Sequence, residues 1–178
     1  MTPDGRQFVR YAFYKLAPEW RRLAKDTKET QRQELVSVVD EFTDQMLVRP
    51  YTLMGTRGDA DFLLWTVSDS VERFQSLATQ VFSSGLGHYL TVPYSYLAMT
   101  RKSAYVDKHR HEGQEGSRLT IKPRGSKYLF VYPFAPGDFL DLVMALRETE
   151  GSKYTVRDTP VFTCTSMDMR QVLDSLGD

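Results

Sequence analysis

The stretch KYLFVYPF, Lys127–Phe134, decides how the rest of the chain is read. It is too short for a helix, rich in Tyr, Phe and Val, and stopped by Pro133, which together read as a mostly buried strand. Tyr132 stands at the strand's last turn before that proline. A phenol held rigidly there can present its hydroxyl to whatever cavity the sheet encloses, a placement suited to proton or radical chemistry. On composition alone, one more core aromatic is the stronger reading of this tyrosine.

Upstream, a complete folding unit can be spelled out. Gln7–Leu16 alternates as a first strand, and Pro18 ends it and opens a helix. From Glu19 to about Gln45, Trp20, Leu23, Leu35, Val38, Val39 and Phe42 recur mainly at helical steps. The charges between Lys25 and Glu34 read as a solvated helix face or a fray between two helices. Met46–Met54 is a second strand, with Pro50 arguing for an edge or a bulge. The turn TRGDA (Thr56–Ala60) punctuates a hairpin into a third strand, Asp61–Val67. Ser68 or Asp69 can cap the next helix, with Glu72 at capping-box distance from Asp69. Phe74, Leu77 and Val81 give that helix one apolar stripe, Gly85 and Gly87 close it, and Tyr94–Met99 is the fourth strand. The order β-α-β-β-α-β predicts an α+β, ferredoxin-like half, an antiparallel sheet with helices on one face.

Thr100–Arg124 forms a polar connector. His109 and His111 would point the same way on a strand and could share a metal, but Lys108, Arg110 and Glu112 around them favour a solvated loop, and no cysteine or carboxylate cluster completes a ligand set. The metal reading is rejected. His88, in a Gly-Leu-Gly-His phrase, reads as a helix cap.

Beyond the connector the order of elements restarts. Phe74, Leu77, Val81 and Tyr89 are echoed at equal spacing by Phe139, Leu142, Leu146 and Tyr154, and Pro93 with its strand is echoed by Pro160 and VFTCTS (Val161–Ser166). KYLFVYPF takes the part of the first strand. Between Phe134 and Asp138 stand only Ala135, Pro136 and Gly137, where the first half carries a helix and two strands. The expected organisation is therefore an N-terminal half over 1–106, a connector over 107–126, and an incomplete second half over 127–178.

With 178 residues, 41% of them hydrophobic, the chain can bury a core as one or two small domains. Its 23 basic and 23 acidic residues cancel, with no single-sign block to draw it to nucleic acid or an anionic membrane. A charged ligand must be met by local residues. Cys164 is the only cysteine, which excludes an internal disulfide, suits a cytoplasmic address, and reads as a small core residue. No leader pattern and no apolar run of membrane-spanning length is evident.

Three phrases carry a family likeness: Tyr89–Ile121 (YLTVPYSYLAMTRKSAYVDKHRHEGQEGSRLTI), KYLFVYPF, and Asp138–Cys164 (DFLDLVMALRETEGSKYTVRDTPVFTC). Their wording resembles the chlorite dismutase family, in particular its coproheme decarboxylase branch. The resemblance implies a ferredoxin-like dimeric α/β barrel with two halves, the second binding a porphyrin, in a ring of five subunits. By the same resemblance Tyr132 matches the tyrosine oxidised to a radical, and Arg118, Arg147 and Ser152 match residues that hold propionate carboxylates. Forked guanidinium donors suit a tetra-anionic ligand on a neutral protein, although Arg147 is equally explained as a basic residue at a helix C-terminus. By the same resemblance the family's proximal histidine and its distal glutamine or arginine belong to the stretch this chain lacks, a propionate lysine is absent with Pro136 near its place, and no histidine here replaces the iron ligand by motif. The implied reaction is peroxide-dependent oxidative decarboxylation of Fe-coproporphyrin III (coproheme) to haem b. The alternatives are a haem-free assembly subunit, whose incomplete sheet face needs another chain to cover it, and a chlorite-degrading or peroxidase relative.

Overall fold

The computed structural model describes residues 5–101, 119–123, 125–131 and 162–177. Among the described residues six strands form one antiparallel sheet: β1 (Phe8–Leu16), β2 (Leu47–Thr52), β3 (Phe62–Ser68), β4 (Leu90–Met99), β5 (Tyr128–Val131) and β6 (Phe162–Ser166). Their spatial order is β4-β1-β3-β2-β6-β5. The first four, with α1 (Lys25–Thr43) and α2 (Val71–Ser83), make the expected ferredoxin-like unit, and α3 (Met169–Ser175) follows β6. No helix among the described residues is long and apolar enough to cross a membrane.

Period-two alternation in β1 and β3 sends side chains to two different cores. Ala12, Tyr14, Leu16, Phe62 and Leu64 meet the helices through Leu35, Val39, Phe42, Phe74, Leu77, Val81 and Leu173. Phe13 and Leu63, one residue out of phase, join Tyr51, Phe162, Cys164 and Val131 on the opposite face. The stripe Phe74, Leu77 and Val81 is buried as its spacing predicts.

The helical run from Glu19 is broken. Pro18–Arg22 is a separate 3-10 turn, and α1 begins only at Lys25. Part of the charge run expected to be solvated is in fact buried: Lys28 and Arg32 lie over the Trp20 ring at 5.7 and 5.1 Å from its centroid. Their aliphatic stems pack while their cations face the π-cloud. Arg32 and Arg21 also donate to the Gly177 and Leu176 carbonyls at 2.8 and 3.3 Å, closing the C-terminal end of α3. Asp168 and Gln171 form a reciprocal capping box at its other end, which the sequence analysis did not single out.

The cap of α2 also differs from expectation. Ser70 is the N-cap and bonds Glu72, whereas Asp69 pairs with Arg73 at 2.6 Å and the Ser68 hydroxyl accepts from the Ser70 amide at 3.1 Å. At the other end Ser84, not His88, is the C-cap, and His88 lies exposed in the turn Gly87–Tyr89. Pro50 sits in β2 where the strand has lost its outer partner, since β6 pairs only with Tyr51 and Thr52. β5 is the outermost strand and is not mostly buried: Leu129 and Val131 face the aromatic core, while Tyr128 and Phe130 are 53% and 58% exposed. A terminal strand with one covered face can bury only alternate residues.

Gly87 passes so close to α2 that a Cβ there would stand 1.9 Å from the Val81 carbonyl oxygen, against backbone that cannot swing aside. Gly87→Ala is expected to lower stability by about 1–3 kcal/mol, read from the urea midpoint. Gly58→Ala, with nothing within 4 Å of its Cβ position, is expected to stay within about 0.5 kcal/mol of wild type.

Candidate functional site

The face of the sheet turned away from the helices is built from aromatic rows. Cross-strand register aligns Tyr96, Tyr11, Trp65 and Arg49 across β4, β1, β3 and β2, and next to them Tyr94, Phe13, Leu63 and Tyr51. Tyr11 and Trp65 stand parallel with centroids 6.3 Å apart. Phe162 of β6 stacks on Phe13 at 3.9 Å and receives the Tyr94 edge at 5.1 Å. Offset and edge-on pairs of this kind add to what burial alone contributes.

One ion pair closes the border of this layer. In the turn between β2 and β3, the Arg57 guanidinium lies 4.8 Å from the Phe162 centroid and forks onto Asp59, with Nε donating to Oδ1 at 2.7 Å and a terminal nitrogen donating to Oδ2. The Tyr94 hydroxyl donates to the same Oδ2 at 2.7 Å. These hydrogen bonds, Arg57's first and Tyr94's second, hold the Asp59 carboxyl far below the usual range, and the Tyr94 phenol is raised because its proton serves that carboxylate. At neutral pH the group is a fixed carboxylate, guanidinium and phenol. It anchors the β2–β3 turn to β4, and the Thr56 hydroxyl bonds the same turn to the Thr163 carbonyl of β6 at 3.0 Å. Burial pushes the Cys164 thiol up to about 12, so it remains a protonated core residue, in keeping with its reading from sequence.

Beside this layer a cavity of about 250 Å³ opens between β2, β3 and the segment leading into β5. Arg49, Tyr51, Trp65, Lys122 and Tyr128 line it.

Tyr132, Arg118, Arg147 and Ser152, the site residues expected from sequence, lie outside the described residues, as do His109 and His111. Val131, which precedes Tyr132 in the chain, is buried against the aromatic layer. Among the described residues no group of three or more His, Cys, Asp or Glu side chains could hold a metal. The Arg57–Asp59–Tyr94 group has no local signature, since TRGDA by itself marks only a turn. The alternating Tyr11/Phe13 and Tyr94/Tyr96 pairs were a usable signal for the aromatic rows.

A sequence model of chlorite dismutases matches residues 28–136, more than half of the chain. The chain belongs to the chlorite dismutase family. Among curated relatives, the chlorite dismutase of Ideonella dechloratans is 22% identical over 163 residues, covering 86% of this chain and 55% of that protein. The chain therefore spans about half the length of the curated relative it matches. Among solved structures, a mutant chlorite dismutase from Candidatus Nitrospira defluvii superposes with a TM-score of 0.69 at 16% identity, over 94% of each chain. A second mutant of that enzyme gives 0.69 at 15% identity, over 97% of this chain and 96% of the other. At these identities the superpositions establish a shared fold.

Replacing Asp59 by Asn should test the ion pair. Because the folded carboxyl is depressed below its ordinary value of 3.8, its contribution is complete above that value and is lost as pH falls towards the folded one. Asp59→Asn is expected to cost about 1 kcal/mol or less, given that the pair is partly exposed. The difference in urea midpoint should hold from pH 7 to about pH 5 and shrink below about pH 4.

Proposed function

We propose that this chain is of the coproheme decarboxylase branch and acts on the propionate side chains of Fe-coproporphyrin III, yielding haem b with hydrogen peroxide as oxidant. The observation that carries the proposal is the reach of the family match: it runs over 28–136 and so takes in Arg118 and the whole phrase KYLFVYP with Tyr132. The local wording on both sides of the short Ala135–Gly137 segment supports the same branch.

In this proposal Arg118 and Arg147 fork onto propionate carboxylates and Ser152 donates its hydroxyl to another, which fixes the macrocycle against a protein of zero net charge. Tyr132 is the oxidisable group beside the reacting side chain. Each propionate releases carbon dioxide, one proton and two electrons to become a vinyl, and one hydrogen peroxide takes up two electrons and two protons to give two waters. The iron of the bound tetrapyrrole would supply the oxidising chemistry. The described residues do not fit as its ligands: His88, the one histidine among them, is exposed and outside the aromatic layer. The second half, over 127–178, is proposed to be incomplete, the assembly to be a homopentamer and the location to be the cytoplasm.

A second proposal, a haem-free assembly subunit, draws on the side chains exposed on both outer strands, Leu97 and Met99 on β4 and Tyr128 and Phe130 on β5.

Incubating the chain with ferric coproporphyrin III and peroxide should give a product lighter by two formic acid equivalents in the mass spectrum. Tyr132→Phe should abolish that loss while leaving the tetrapyrrole bound; normal turnover in this variant would remove Tyr132 from the reaction. No mass loss with the wild-type chain would favour the assembly subunit, and oxygen release from chlorite would place the chain with its chlorite-degrading relatives.

A further inference from the structure

The cavity between β2, β3 and the approach to β5 carries more polar chemistry than a packing defect needs. Among the described residues two of its lining side chains are cations, Arg49 and Lys122, and none is a carboxylate. Neither cation forms an ion pair among the described residues. Three aromatic residues, Tyr51, Trp65 and Tyr128, line the cavity as well, with Ser126.

The sheet fixes one wall, and Lys122, Pro123, Gly125 and Ser126 come from the segment leading into β5. Arg49 stands directly across from Trp65 in the β2–β3 ladder, and Tyr11 holds the other side of the indole in a parallel stack. A guanidinium and aromatic rings lining one cavity suit a planar group bearing an acid: the fork takes two carboxylate oxygens while the rings take the plane. The volume, about 250 Å³, lies below the range of about 300–1,000 Å³ typical of drug-sized sites and is too small for a tetrapyrrole.

We propose that this cavity is a binding site for a small aromatic carboxylate, held by Arg49 and Lys122 and stacked among Tyr51, Trp65 and Tyr128. The proposal does not depend on the chain acting on a porphyrin. The chain has two tryptophans, and Trp20 is fully buried in the helical layer, so the two indoles report on different places.

The test is a titration of the full chain, labelled with 5-fluorotryptophan, with sodium benzoate at constant ionic strength, followed by fluorine NMR with the resonances assigned through Trp20→Phe. The Trp65 resonance should shift saturably with a dissociation constant of about 1 mM or tighter, and Trp20 should not move. Arg49→Gln and Lys122→Gln, the second at an exposed position, should each weaken binding at least about tenfold with unchanged urea midpoints. A shift that does not saturate, one shared by Trp20, one reproduced by acetate at equal concentration, or one indifferent to both substitutions would overturn the proposal.

Discussion

The antiparallel ladder between β1 and β3, running from Phe8 opposite Ser68 to Tyr14 opposite Phe62, is the constraint on which the other contacts depend. Both strands are buried on both faces over much of their length, so their register decides which side chains meet helices and which meet the aromatic layer. A slip of one residue would exchange the two sets, putting Tyr14 and Leu64 where Phe13 and Leu63 now pack. Each large apolar side chain taken out of its core forfeits about 1.5–3 kcal/mol, so the alternative register is not competitive. Asp61 adds a polar lock at the end of the ladder. Its buried carboxylate accepts from the Leu16 amide at 2.8 Å and from Lys15 Nζ at 2.7 Å, and its own amide donates to the Tyr14 carbonyl. Leaving those donors unpaired would cost about 1–3 kcal/mol.

Around this ladder the distant parts of the chain are joined by side chains that serve the backbone. Trp20 sits at 0% exposure under Lys28 and Arg32, its indole nitrogen donates to Gln31, and the same Arg32 reaches on to the end of α3. Thus the first turn after β1 and the last helix of the chain share one cluster. On the other face Phe162, Thr163 and Cys164 of β6 are held by Phe13, Thr56 and their aromatic neighbours. Residues far apart in sequence close both cores, which is why the strands after the connector extend the first sheet instead of standing alone.

Much of this architecture was legible locally. Alternation in Gln7–Leu16 and Asp61–Val67, the stripe Phe74, Leu77 and Val81, and the TRGDA turn were enough for the ferredoxin-like order, because each depends on neighbours within a few residues. What escaped depends on tertiary placement. Lys28 and Arg32 have the composition of a solvated face, and only the arrival of Trp20 buries them. KYLFVYPF has the composition of a buried strand, but its position at the sheet's edge leaves Tyr128 and Phe130 in solvent. Asp59 carries no local mark of its bond to Tyr94, which comes from another strand. Tyr132, Arg118, Arg147 and Ser152 rest on the family wording alone and lie outside the described residues.

The functional account comes down to acid arms on a tetrapyrrole being recognised by guanidinium and hydroxyl groups. The most direct measurement compares two ferric porphyrins by Soret titration of the intact chain, coproporphyrin III with its four carboxylates and etioporphyrin with none. The account predicts a saturable Soret shift with coproporphyrin at about micromolar concentration and far weaker binding of etioporphyrin. Equal binding of the two, or no Soret change with either, would contradict it.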